Sequence, residues 1–306
     1  MRIPTGIRLA AAAAASVCLV GLTGLGPTAQ AKVADVDAAC VTADARSDSA
    51  RGGRGPDHRD VSATEQRAIT RDARAIVQKK GGPVSGTTVP VYVHVMAGTD
   101  GEGDVTDIQI AQQIAVLNNT FAGGEDTGGD GNTGFTFTLA GTDRFYNDAW
   151  HADRASSKYR AATRQGGANA LNMWLVDFQY LGIATFPWDF AKNGAVDGIR
   201  VNFDSLPGGS ILNYNLGETA THEAGHWFGL FHTFQGGCTE LNDEVADTPA
   251  QSSPTNGCPE GRDSCDLPGL DPIHNYMDYS YDSCYTEFSV GQSARMQQMF
   301  TAYRAG

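Results

Sequence analysis

Positive charge is scarce in this chain: 22 lysines and arginines face 35 aspartates and glutamates, for a formal net charge of −13. That balance argues against nucleic acid as a partner, because phosphate backbones are held by clustered basic side chains. Long apolar runs are nearly absent as well. The one present, Leu9 to Leu25, is broken by Gly21 and Gly24 and followed by Gly26 and Pro27, and no later stretch approaches bilayer-spanning length, which argues against a membrane anchor. Cysteines spaced C-x-x-C are also missing, and with them the usual signature of a closed four-cysteine zinc site.

What the N-terminus does contain is Arg2 and Arg8, then the apolar run, then the small-x-small end Ala29-Gln30-Ala31. This is the build of a secretory signal peptide over residues 1–31, and it predicts a secreted, extracellular protein. Removing it takes two arginines and no acids, so −13 becomes −15. The remaining charge is uneven, +2 over residues 32–82 against −17 over 83–306, which divides an N-terminal segment from one catalytic-sized domain. Carboxylates clustered in loops of a secreted domain also offer oxygen ligands for calcium. Cys18 leaves with the signal; Cys40 stands alone, and Cys238, Cys258, Cys265 and Cys284 lie close enough in sequence for two disulfides, with three pairings open.

Periodicity places the main elements. Residues 34–60 show neither helical nor strand period, whereas Ser62 to Lys80 reads as a helix with Ser62 and Glu65 spaced as a capping box, stopped by Gly81-Gly82-Pro83. Val89 to Met96, Phe135 to Leu139, Leu171 to Phe178 and Gly198 to Phe203 have strand composition, and helices are predicted from Thr106 to about Phe121 and from Thr219 to Leu230. Phe231 to Phe288 is rich in Gly, Pro, Asp and Cys with little period, and a last helix follows Ser289 and Gln292 to about Tyr303.

The informative segment is THEAGHWFGLFH. Histidines four apart on a helix lie one turn above one another, so His222 and His226 can aim at one metal ion. Glu223 is offset around the helix, where a carboxylate reaches a metal-activated water without being a ligand. Gly229 can take a left-handed conformation, letting the chain turn and bring in His232 as third ligand. Three nitrogens with a fourth position open describe a catalytic zinc site, and a purely structural site would have no use for the acid beside its first ligand. His58, His94, His151 and His274 lack ligand spacing and read as structural or surface residues.

H-E-x-x-H-x-x-G-x-x-H resembles the zinc motif of the metzincin metallopeptidases, and HNYMDY (His274 to Tyr279) resembles the Met-containing turn of their pappalysin family. GIATFPW, GLFHTFQGGC, VADTP and FSVGQSARM are further similarities to that family, spread over most of residues 84–303. The resemblance implies an α+β fold: an upper subdomain with a twisted mixed sheet and two long helices, and an irregular, disulfide-held lower subdomain with a C-terminal helix. It also implies Met277 as the Met-turn residue, Tyr279 as a transition-state stabiliser, calcium in the lower half with Asp243, Asp247 and Thr248 as candidate ligands, and the pairs Cys238–Cys265 and Cys258–Cys284. For Tyr279 the alternative is an aromatic packed in the lower core.

The expected activity is hydrolysis of internal bonds of a protein or peptide substrate by a zinc-activated water, with Glu223 as general base. Within residues 32–82, the stretch from Lys32 to a point between Arg51 and Lys80 is expected to form a pro-segment, with the Arg-rich ARGGRG as an accessible cutting site and Cys40 either a thiolate switch on the zinc or a thiol that stays free or pairs between molecules. Residue types alone do not specify the bond that is cut or the oligomeric state.

Overall fold

The computed structural model describes residues 58–59, 61–125 and 131–305; the signal segment and Cys40 lie outside them. Helix α1 spans Ala63–Lys80, with the Ser62 hydroxyl accepting from the Glu65 amide as expected. The Glu65 side chain does not return to the cap, because it pairs with Arg59 at 2.7 Å. Strand β1 (Thr88–Ala97) leads to α2 (Asp107–Phe121), which opens with the full Thr106/Gln109 capping box. Strand β2 (Thr136–Tyr146) runs longer than its apolar composition implied, since its second half is half-buried and polar. Two short helices follow, α3 (Asp148–His151) and α4 (Ser156–Thr163), then β3 (Leu171–Val176) and β4 (Gly182–Ala184). After a one-turn helix α5 (Phe190–Asn193) come β5 (Ile199–Asn202), α6 (Glu218–Phe228) and the C-terminal α7 (Val290–Tyr303), which carries the Ser289/Gln292 capping box.

The five strands form one mixed sheet in the order β2-β1-β3-β5-β4, parallel except for antiparallel β4 at the edge. Strand β3 is buried at every position, as a central parallel strand covered on both faces should be. Alternate residues of β1 (Val89, Val91, Val93, Val95) and Ile110, Ile114 and Leu117 of α2 share one core with Ala220, Ala224, Trp227 and Phe228 of α6. Below α6, residues 231–288 are almost free of regular structure among the described residues and are tied by Cys238–Cys265 and Cys258–Cys284, the expected pairs. No described helix is long and apolar enough to cross a membrane.

Two buried arginines bind the helices together. Arg304 donates to both carboxylate oxygens of Asp197 at 2.9 and 3.1 Å and to the carbonyl of Trp227 at 2.9 Å, with its guanidinium 3.6 Å from the Trp227 ring. The Trp227 indole N–H donates to the same carboxylate at 3.0 Å, so the back of α6 is held by one fully desolvated ion pair. Arg295 donates to the Gly229 carbonyl at 2.9 Å and to the Thr70 hydroxyl at 3.1 Å, coupling α6 to α1. Along α1, Ile69, Ala73 and Val77 pack with Phe231 and Met299, so this helix belongs to the same packed body as α7. Removing one partner of a buried pair leaves an uncompensated charge, so Arg304→Ala should destabilise the protein by about 3–5 kcal/mol in a denaturant titration. A loss below about 1 kcal/mol, the range of a solvated surface pair, would contradict that account.

Candidate metal centre

Helix α6 and the turn that follows it bring three imidazoles to one point. The Nε2 atoms of His222, His226 and His232 lie 3.1, 3.1 and 3.3 Å from one another. His222 donates its Nδ1–H to the Tyr276 carbonyl at 2.6 Å and His226 to the Leu230 carbonyl at 2.9 Å, which leaves each neutral ring with its Nε2 lone pair facing the others. Lone pairs at that separation repel unless a cation lies between them. Tetrahedral bonds of zinc to nitrogen put neighbouring ligand atoms about 3.3 Å apart, so this donor set fits a metal ion without rearrangement.

The turn that delivers His232 works as its glycine implies. Gly229 has φ +100° and closes the helix with its amide directed at Gly225 and His226 carbonyls. Beneath the helix, Met277 is fully buried, and a Cβ on Gly225 would come within 2.4 Å of its sulfur, so the small residue inside the motif is what lets the turn approach. The Met277 carbonyl accepts from the Thr233 amide at 3.2 Å, fastening the chain just past His232. Tyr279 stands beside the triad, its ring centroid 4.8 Å from that of His232 and 5.7 Å from that of His222.

Glu223 is buried on the side of α6 that faces the edge strand. A Cβ on Gly182, the first residue of β4, would come within 2.3 Å of a Glu223 carboxylate oxygen, so the acid passes directly against the strand's backbone. Next to it, Glu218, Thr219, Asp282 and Tyr285 line a small cleft with His222 and Glu223. Burial, with Glu125 and Asp282 adding repulsion, pushes the Glu218 carboxyl well above its usual range; burial also pushes Asp282 up to about 7, although backbone amides of 216–218 at the start of α6 oppose it. One oxygen of Glu218 is buried without a hydrogen bond.

His58 is the residue that motif spacing could not reveal. Its ring packs 4.7 Å from His226 and 4.8 Å from His232 and Phe186, and its Nε2 lies 3.3 Å from His232 Nδ1, while its own Nδ1 donates to the Arg59 carbonyl. One ring nitrogen from each of His58, His226 and His232 lies within 4.8 Å of the others, but His58 meets His232 at Nδ1, away from the convergence point of the Nε2 atoms, and acts as its outer partner. Only a sequence-distant contact signals this, across 174 residues. His94 is a core residue bonded to Asn172, and His274 donates to the Cys284 carbonyl beside a disulfide.

Each candidate calcium carboxylate is hydrogen-bonded within the protein. Asp243 accepts from the Thr248 hydroxyl at 2.7 Å and the Val245 amide at 3.0 Å. Asp247 instead accepts from the Ser289 hydroxyl and the Gly291 amide, both at 2.7 Å, at the start of α7.

Comparison with known proteins agrees with this geometry. The sequence profile described as pregnancy-associated plasma protein-A matches residues 178–301, which include the triad, the Met-turn and both disulfides. An extracellular metalloprotease of Colletotrichum graminicola is 47% identical over 226 residues, covering 71% of this chain and 78% of the relative. Extracellular metalloprotease 1 of Coccidioides posadasii is 42% identical over 253 residues, covering 80% and 85%. Among solved structures, a promirolysin variant from Tannerella forsythia superposes with a TM-score of 0.64 at 27% identity, covering 78% of this chain and 89% of the other. Mature mirolysin in complex with a cleaved peptide gives 0.60 at 27% identity, covering 72% and 97%. The convergent imidazoles, the buried acid beside them and these relatives lead to one assignment: the chain is a metalloprotease belonging to the pappalysin family of the metzincins.

Proposed function

We propose that this protein is a secreted zinc endopeptidase, with His222, His226 and His232 holding the ion and Glu223 acting as general base. The observation that carries the proposal is the meeting of three metal-ready Nε2 atoms with a buried carboxylate pressed against the edge strand of the sheet. Zinc bound there would supply a Lewis acid for the scissile carbonyl and for water. Glu223 takes the proton of the attacking water and passes it to the leaving amine. The Tyr279 hydroxyl would donate to the oxyanion as it develops, a role supported by the approach of its ring to within 4.8 Å of that of His232. Strand β4, antiparallel and at the sheet edge, offers free backbone groups to an extended polypeptide, which is why the substrate is proposed to be a peptide chain rather than a small ester.

The acidic cleft supports a preference for a basic side chain next to the scissile bond. Burial of both carboxyls, with repulsion from Glu125 on each and from Asp282 on Glu218, penalises their charged forms, and a guanidinium or ammonium would relieve both. For stability the sign is fixed. A carboxyl held near 7 in the fold against about 3.9 in the unfolded chain costs stability progressively as pH rises through that interval. Asp282→Asn should therefore lower kcat/KM on arginine-containing peptides by about tenfold or more, while sparing peptides with neutral residues at that position. Equal losses on both peptide sets would remove the cleft from specificity.

The N-terminal segment divides at the packing boundary. We place the start of the mature enzyme at or before His58, because His58 backs His232, Arg59 pairs with Asp189 at 2.7 Å, and α1 is packed against α7. Residues from Lys32 to the ARGGRG run then form the removable pro-segment, with Cys40 as the proposed switch. N-terminal sequencing of the active form should begin between Arg51 and His58; a start beyond Lys80 in fully active enzyme would show that neither contact is needed.

Two substitutions test the chemistry. Glu223→Gln should bind zinc at the histidine triad as tightly as wild type and lose at least about 100-fold in kcat, since an amide cannot accept the proton. Tyr279→Phe should lower kcat with little change in KM, as expected for an interaction made only in the transition state. Near-native turnover in the first, or an unchanged kcat in the second, would sink the corresponding role.

A further inference from the structure

We propose that Glu102, His151 and Asp177 form a second divalent-metal site, remote in sequence from the histidine triad and built by the segments that follow the carboxyl ends of three adjacent parallel strands. Strands β2, β1 and β3 are neighbours in the sheet, and the residues that follow each one supply one donor: His151 after β2, Glu102 after β1, Asp177 after β3. The carboxyl ends of parallel strands are where open sheets of this kind gather ligands. One donor atom from each of the three lies within 4.8 Å of the others.

The histidine is what makes this more than a pair of surface acids. His151 is only 7% exposed, and its Nδ1 donates to the Met96 carbonyl at 2.8 Å. That bond puts the lone pair of the neutral ring on Nε2, the same arrangement that prepares His222 and His226 for a metal. Nε2 is buried and has no hydrogen-bond partner; the nearest Glu102 oxygen is 3.7 Å away, too far for one. A lone pair held among carboxylate oxygens is repelled by them, and a cation between the three turns that repulsion into attraction. The scaffold around it is close-fitting. The Asp177 amide donates to the His151 carbonyl at 2.7 Å, and Gly103, at φ +72°, lets the loop carrying Glu102 close on the ring, since a Cβ there would come within 2.8 Å of His151 Cε1.

One imidazole and two carboxylates suit zinc or manganese, with nitrogen too soft a donor for a calcium site. Ligand atoms around zinc sit about 3.3 Å apart, so the donors must draw in slightly; Glu102, whose side chain is 62% exposed, can move to do so. Filling the site would tie together three loops of the upper half and leave Glu223 and its surroundings untouched.

The test is zinc stoichiometry in the full enzyme, measured by equilibrium dialysis against buffered free zinc and metal analysis. Wild type should bind two equivalents. Glu102→Ala should bind the first normally and the second at least about tenfold more weakly, with peptide turnover at one equivalent unchanged. His151→Gln should behave alike, and Asp177→Asn serves where the buried histidine cannot be replaced without unfolding. Zinc beyond the first equivalent should raise the melting temperature of wild type and not of Glu102→Ala. A wild-type stoichiometry of one, or a second equivalent that survives both Glu102→Ala and Asp177→Asn, would overturn the site.

Discussion

Three imidazole nitrogens brought within 3.3 Å of one another are an unfavourable arrangement for a folded chain to maintain by itself. Each lone pair opposes the others, so the rings must be held from behind by groups that tolerate no alternative. Two of those groups are carbonyls, of Tyr276 and Leu230, and they fix tautomer and ring plane together. The third is His58, contributed by a segment more than 150 residues away in sequence. Much of the lower half exists to present the Tyr276 carbonyl: the Met-turn that carries it is buried under α6 and pinned by Thr233, and the Cys258–Cys284 disulfide joins the irregular chain around it.

The same demand explains the small residues of the motif. Gly225 lies between the two helical histidines because the Met277 sulfur occupies the space a side chain would need. Gly229 ends the helix at a left-handed angle that non-glycine residues adopt only with strain, and its position is further closed by Met299 of α7. Gly182 performs a comparable service for Glu223, admitting a carboxylate against the backbone of β4. Close approach is what Gly225 and Gly182 contribute, and Gly229 adds to it a left-handed backbone.

Local signals made most of the elements and the central motif legible in the sequence. Both capping boxes at Thr106 and Ser289 are present, the cysteine pairs are those the family resemblance implied, and the helix that carries His222 and His226 lies within one or two residues of its expected bounds. Strand β4 escaped because three residues give no period to read, and its importance comes from its place at the sheet edge. Arg295 and Arg304 escaped for the opposite reason: arginine is ordinarily a surface residue, and nothing local distinguishes one whose partners are Gly229, Thr70 and Asp197. His58 and His151 read as ordinary histidines by spacing, since their partners lie on other elements.

Charge and packing also divide the chain differently. The step from +2 to −17 coincides with Gly81-Gly82-Pro83, a strong helix stop, so composition marks the end of an element there. Burial carries α1 across that point into the body of the protease, through Ala73 and Val77 in its core, the Lys80 ammonium on the Thr301 carbonyl, and Thr70 on Arg295. A segment with basic surface and buried apolar stripe can belong electrostatically to one part of the chain and mechanically to another. Since Arg295 also holds the Gly229 carbonyl, α1 reaches the end of α6 through that side chain, and the region before residue 83 contributes to how firmly His232 is set.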